Sequence, residues 1–278
     1  MTLLLSDVEH RDLHSGDEIG QGKIRIKTIR GAGMDFQRGM WAEAWVQGIT
    51  ARQFVALAVF GVLAIQILNE GFGSSGVFGT LALMFLWSCL AFAVHVQILL
   101  SPESYAATNG LLIGFAIRSF GVGLLMLVAS TVLTIIVVLV FGTEQARVFF
   151  AYAPVAFVIP GLPVLVWLGT ILPAFIAGRA CGVGAAVKRG RTQFGWIAGR
   201  LIVGPGVLLI LSFLLFSLLL IPVDYNGAFW NEEGRFQPLA VFASLINFTV
   251  QAFAVVLTSV ILSRAFLRAE GMSDAASA

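Results

Sequence analysis

The chain has 278 residues, of which 58% are apolar and only 12% charged, with 23 Phe and a formal net charge of +2. A soluble domain has about a quarter of its residues charged, and half that charge would leave apolar patches large enough to aggregate. A globule solvated by water on all sides is excluded, and lipid is the solvent that remains. Cys89 and Cys181 are too few for a disulfide framework and read as small buried or interfacial residues.

Residues 1–33 read as a solvated cytoplasmic tail. No basic residue precedes Leu3-Leu-Leu5, so the start is not expected to act as a cleavable signal. Ser6 to Glu18 is acidic, and Lys23-Ile-Arg-Ile-Lys-Thr-Ile-Arg30 then alternates basic and apolar residues. Lys23, Arg25, Lys27 and Arg30 can contact anionic headgroups, at ~1 kcal/mol per basic residue, or add as a strand to a partner's sheet edge. Residues 34–50 form the next element. Phe36, Met40, Trp41, Ala44, Trp45 and Gly48 share one side, with Arg38, Glu43 and Gln47 towards the other. Two Trp on the apolar side predict an amphipathic helix in the headgroup plane, contacting lipid through Trp41 and Trp45.

Residues 51–268 then hold about six stretches long enough for a bilayer core of ~30 Å, which takes ~20 apolar residues. They are Gln53–Asn69, Gly71–Pro102, Ser119–Thr143, Val148–Gly178, Leu201–Val223 and Phe236–Ser263, with 269–278 left as a short cytoplasmic tail. Leu133 to Phe141 does not alternate polar and apolar residues, which rules out barrel strands. The expected fold is an all-α, polytopic transmembrane helical bundle, since helices satisfy their own backbone groups in lipid. With six crossings, fifteen of the seventeen Lys and Arg fall on one side and two on the other. Lys and Arg mark the cytoplasmic loops, so both termini are expected inside a bacterial inner membrane.

Two features vary this plan. Pro154, Pro160, Pro163 and Pro173 crowd the fourth stretch, with Gly161 between two of them. Each interior proline removes a hydrogen bond, so this span is expected to be kinked or to begin near Leu162. Broken helices can line binding cavities, which makes Pro160 and Gly161 candidate pathway residues. Secondly, Ser101 to Arg118 and Lys188 to Arg200 each precede a span as residues 34–50 do. Three hairpin repeats with interfacial amphipathic helices are the resulting expectation, with Lys188, Arg189 and Arg191 as lipid or partner contacts.

Chemistry is scarce. His95 is the ionisable group deepest in the spans, and Asn247 and Gln251 share a face of the sixth at i, i+4. These three are candidate intramembrane polar or pathway residues, and interhelical hydrogen bonding is their ordinary role. Three His and two separated Cys supply no recognisable zinc site. Gly20-Gln-Gly22 and Gly31-Ala-Gly33 lack the flanking strand and helix of a nucleotide motif. No nucleophile–base pair or carboxylate dyad stands out. The expectation is a protein that is not an enzyme and has no cofactor, metal or nucleic-acid partner.

Leu172-Pro-Ala-Phe-Ile-Ala-Gly-Arg179, followed by Ala186-Val-Lys-Arg-Gly-Arg-Thr-Gln-Phe194, resembles uncharacterised bacterial six-span proteins of the YciC-like kind. It is also similar to the membrane domain attached to some glycerophosphodiester phosphodiesterases. The match covers about 25 residues, and the usual Ala-Trp pair of the amphipathic helix is missing. The resemblance implies an inner-membrane protein without established catalysis and transfers no active site. The expected role is an accessory, scaffold or envelope-maintenance component whose partners are membrane lipids and another membrane protein reached through the N-terminal tail. The alternative is a small-solute transporter or channel built around the fourth span.

Overall fold

The structure, a computed structural model, describes residues 39–71, 77–100, 110–142, 153–220, 229–230 and 234–271. Lys23, Arg25, Lys27 and Arg30 lie outside these residues. The described chain is all-α. Its helices are α1 Met40–Thr50, α2 Arg52–Gly71, α3 Val77–Leu99, α4 Leu111–Phe141, α5 Ala153–Leu168 and α6 Ile171–Ile176. There follow α7 Val183–Thr192, α8 Phe194–Leu201, a π-helical turn at Ile202–Gly206, α9 Val207–Leu220 and α10 Pro238–Ala269. Trp230 and Phe236 form an isolated antiparallel bridge before α10, and Gly234 in its turn takes a φ of 72° that other residues rarely adopt.

The arrangement is built around α10, which packs against α1, α2, α3, α6, α7, α8, the π turn and α9. Pro238 opens it at a position where a missing N–H is harmless. Its buried side is rich in small residues, among them Ala240, Ala243, Ser244, Ala252, Ser259, Ser263 and Ala265. Lipid provides no hydrophobic drive between helices, so close backbone approach through small side chains supplies the van der Waals contact. Val62, Leu90, Val94, Ile197, Leu257 and Ile261 fill the main core around α10. A second core gathers Leu99, Phe115, Leu172, Ile176 and Phe266.

Runs from Arg52 to Glu70, Phe78 to Leu99, Leu111 to Phe141, Phe194 to Leu219 and Pro238 to Ala269 are each long and apolar enough to cross a bilayer. The chain is thus a multi-pass membrane protein. Its fourth apolar stretch is built differently. The 16 residues of α5 reach about 24 Å, short of the ~30 Å hydrocarbon core, and the path continues only after a break at Gly169-Thr170. That break is not where the prolines stand. Pro160 and Pro163 lie inside α5, and Pro173 is the third residue of α6, where no helical N–H is needed. Gly178, at φ 61°, ends α6: Arg179 N–H donates back to Ala174 O at 2.9 Å.

The starts of the three hairpins also differ from one another. Leu111 to Arg118 is not a separate surface element, because it forms the first turns of the uninterrupted 31-residue α4. Lys188 to Arg200 divides between α7 and α8 at Gln193, and the chain enters α9 through the π turn. Pro205 accounts for that turn, since its ring displaces the backbone and donates no hydrogen bond.

Trp41 and Trp45 lie on the outward side of α1, whereas Ala44, expected beside them, is turned into the bundle. Gln47 is 3% exposed, and Ala44 is fully buried, whereas Trp45 is 63% exposed and Val46 and Ile49 also face outward. The polar edge of α1 packs on the bundle and its apolar edge meets the surroundings. In lipid that is the stable arrangement: apolar side chains need no shelter there, and carboxylates and amides do.

Candidate functional site

Polar and charged side chains concentrate where the end of α10 meets α1, α6, α7 and α8. Arg264 holds Glu43 of α1 in a two-point contact, with Nε donating to Oε1 at 2.8 Å and Oε2 at 3.1 Å, and Nη2 lying 2.7 Å from Oε1. Both side chains are largely buried, at 14% and 12% exposure. Beside this pair, Arg200 stacks over the Trp196 ring at 4.1 Å and Arg268 over the same ring at 5.0 Å. Met40, Glu43, Trp196, Arg200, Arg264 and Arg268 border a cleft of about 120 Å³, floored by Val260 and Ile261. No sequence pattern paired these arginines, because Arg200 precedes the fifth apolar stretch and Arg268 follows the sixth, and only folding brings them to one indole.

Arg189 was expected at the surface beside Lys188 and Arg191, and it is turned inward at 7% exposure. Its Nη1 donates to Glu270 at 3.1 Å, its Nη2 to the Ala180 carbonyl at 2.9 Å, and its Nε reaches Thr170 Oγ1 at 3.4 Å. It thus ties α7 to the α5–α6 break and to the end of α10. The cause is local: Gly190 lets α7 approach α5 so closely that the preceding side chain falls between helices. Lys188 and Arg191 remain exposed and border a shallow cleft with Gly184, Val187 and Thr192.

The candidate pathway residues are not brought into one cavity. His95 is fully buried between α3 and α10, with Nδ1 2.6 Å from Ser263 Oγ and its ring against Phe115. Asn247 Oδ1 accepts from Ser212 Oγ at 2.5 Å and joins α10 to α9. Gly161 is packed against Met126 of α4, whose Cε would lie 2.6 Å from an added Cβ. Pro160 and Gln251 are half-buried on different helices. Trp41 and Trp45 both lie against Phe253 of α10, with ring centroids at 6.2 Å. An apolar groove of about 480 Å³ runs between α3 and α4, bordered by Leu81, Phe85, Ile113 and Phe120 and floored by Ser88.

At the opposite end of the bundle, Glu70 accepts a hydrogen bond from the Phe229 N–H at 2.5 Å. Among the described residues no group of three or more His, Cys, Asp or Glu is placed to hold a metal ion. No family model matches the chain, and no curated protein or solved structure matches it.

Proposed function

We propose that the protein is an accessory or scaffold component of a bacterial inner membrane, working through helix and lipid contacts without catalysis of its own. The end of the bundle carrying Arg189, Arg200, Arg264 and Arg268 is cytoplasmic in this reading, as the distribution of Lys and Arg between loops requires. The chain then stands beside the YciC-like six-span proteins that Leu172 to Arg179 resembles.

One observation carries the proposal. Among the described residues five polar pairs close across helix contacts, Glu43 with Arg264, Ser88 with Ser119, His95 with Ser263, Arg189 with Glu270 and Ser212 with Asn247, while His95 Nε2 and Gln97 Oε1 are buried without a hydrogen-bond partner. A pathway needs polar groups in succession along one cavity; here each pair closes a different contact. The outer surface is apolar along the spans, and the N-terminal tail and the exposed Lys188 and Arg191 supply contacts at the cytoplasmic face.

Extraction of the full chain in lipid nanodiscs, followed by mass spectrometry, tests the reading. A membrane protein recovered in fixed stoichiometry, and lost on deletion of residues 1–33, is the expected result. Uptake of a solute by proteoliposomes that stops on His95→Leu or Gly161→Leu, in variants that still fold, would overturn it and establish transport instead.

A further inference from the structure

We infer that the cleft between α1, α8 and α10 is a binding site for a phosphate group at the membrane surface. The inference goes beyond the accessory reading and does not depend on it. Three guanidinium groups and one carboxylate border the cleft, and the carboxylate, Glu43, is engaged by Arg264 at two points. Arg200 and Arg268 are drawn to one Trp196 ring at 4.1 Å and 5.0 Å. Among the described residues the indole is the group that engages Arg200.

Two like charges sharing one indole repel, and an anion seated between them converts that repulsion into attraction on both sides. Arginine suits a phosphate because its planar fork matches two oxygens at once. The depth is also right. Counting ~20 residues of hydrocarbon from Pro238 puts Arg264 and Arg268 beyond the acyl chains, at the level of the headgroups. Trp196 suits that level, where aromatic belts lie. The phosphodiester of an anionic lipid and free inorganic phosphate both offer the chemistry.

The test titrates the full chain in neutral maltoside detergent and reads its thermal unfolding. The probes are inorganic phosphate, phosphatidylglycerol dispersed in the same detergent, and phosphatidylcholine as the zwitterionic control. Saturable stabilisation by phosphatidylglycerol but not phosphatidylcholine is expected. Arg200→Gln with Arg268→Gln should weaken its half-saturation by about tenfold or more. Arg52→Gln with Arg235→Gln, on exposed positions away from the cleft, should leave it unchanged. Stabilisation by phosphate that competes with the lipid identifies free phosphate as a ligand too; response to the lipid alone identifies the headgroup. Both support the site. Equal loss in the two double variants, equal response to phosphatidylcholine, or no saturable response in the unaltered chain overturns it. If the glutamine variant does not fold, Arg200→Lys keeps the charge and loses the fork. It should unfold at the unaltered temperature without ligand yet bind several-fold more weakly; unchanged binding overturns the proposal.

Discussion

At Gly190 the backbone of α7 runs so close to α5 that an added Cβ would meet the Val166 carbonyl oxygen and come within 2.8 Å of the Trp167 Cα. Backbone atoms of a packed helix do not yield as a side-chain tip does. At Gly61 of α2 an added Cβ would also come within 2.8 Å of a neighbour, but that neighbour is Leu86 Cδ1, the free end of a flexible side chain. Gly190→Ala should therefore destabilise by about 1–3 kcal/mol or more. Gly61→Ala should lie near neutral, its steric cost offset by the roughly 1 kcal/mol that alanine gains over glycine in a helix. Thermal unfolding in one detergent, with both variants side by side, distinguishes them, and equal losses would contradict the contact geometry. His95 gives a second test at this scale. Ser263→Ala removes the partner of a fully buried Nδ1 and should cost about 1–3 kcal/mol. Starting from His95→Leu, the same substitution should cost little, so the double-mutant cycle should return a clear coupling. The sequence identified His95 as the buried polar group of its span. It held no sign of Ser263, 168 positions away.

The elements were legible in proportion to how far lipid alone dictates them. The long apolar runs announced α2, α3, α4, α9 and α10, because a charge-free stretch of ~20 residues has few other solutions. The breaks were less legible. The prolines of α5 drew attention to Pro160 and Pro163, but the helix stops at Gly169-Thr170, where Arg189 from α7 donates to the Thr170 hydroxyl. Tertiary contact placed that break, and no local signal announced it. For α1 the sequence reading put Ala44 on the side of Trp41 and Trp45, and the fold turns it inward beside Gln47. A wheel with Trp41 and Trp45 on one side suggests an apolar face seeking lipid, and the grip on the bundle comes from Glu43, Ala44 and Gln47 on another. That division of sides has a measurable consequence. Glu43→Gln should free α1 and raise hydrogen exchange of the 41–50 amides, at a cost of about 1.5–3 kcal/mol for a hydrogen-bonded charge. Trp45→Ala, at an outward position, should change that exchange little. The reverse order would mean that the Trp side holds the helix.

For the whole molecule, lengths and charges define one consistent placement in the membrane. The 32 residues of α10 extend about 48 Å, well beyond the ~30 Å of hydrocarbon. The excess gathers at the arginine-rich end, where α1, α6, α7 and α8 surround α10. At the other end α10 starts directly at Pro238, and Glu70 and the Trp230–Phe236 bridge lie close to it. The asymmetry of Lys and Arg in the loops was readable from the sequence. The collar of short helices was not, because it depends on which of them reach the same stretch of α10. Collar and charge together predict that this end faces the cytoplasm, and the two native cysteines can report it. Cys181 is half-buried in the turn between α6 and α7, whereas Cys89 is buried within α3. A membrane-impermeant maleimide should label Cys181 in inverted vesicles and not in intact spheroplasts, and Cys181→Ser should abolish the labelling by leaving only the shielded Cys89. Labelling of Cys181 from outside intact spheroplasts would place the arginine-rich collar on the wrong face. The phosphate cleft, which relies on headgroup depth but not on which leaflet supplies the headgroup, would survive that result; the cytoplasmic assignment would not.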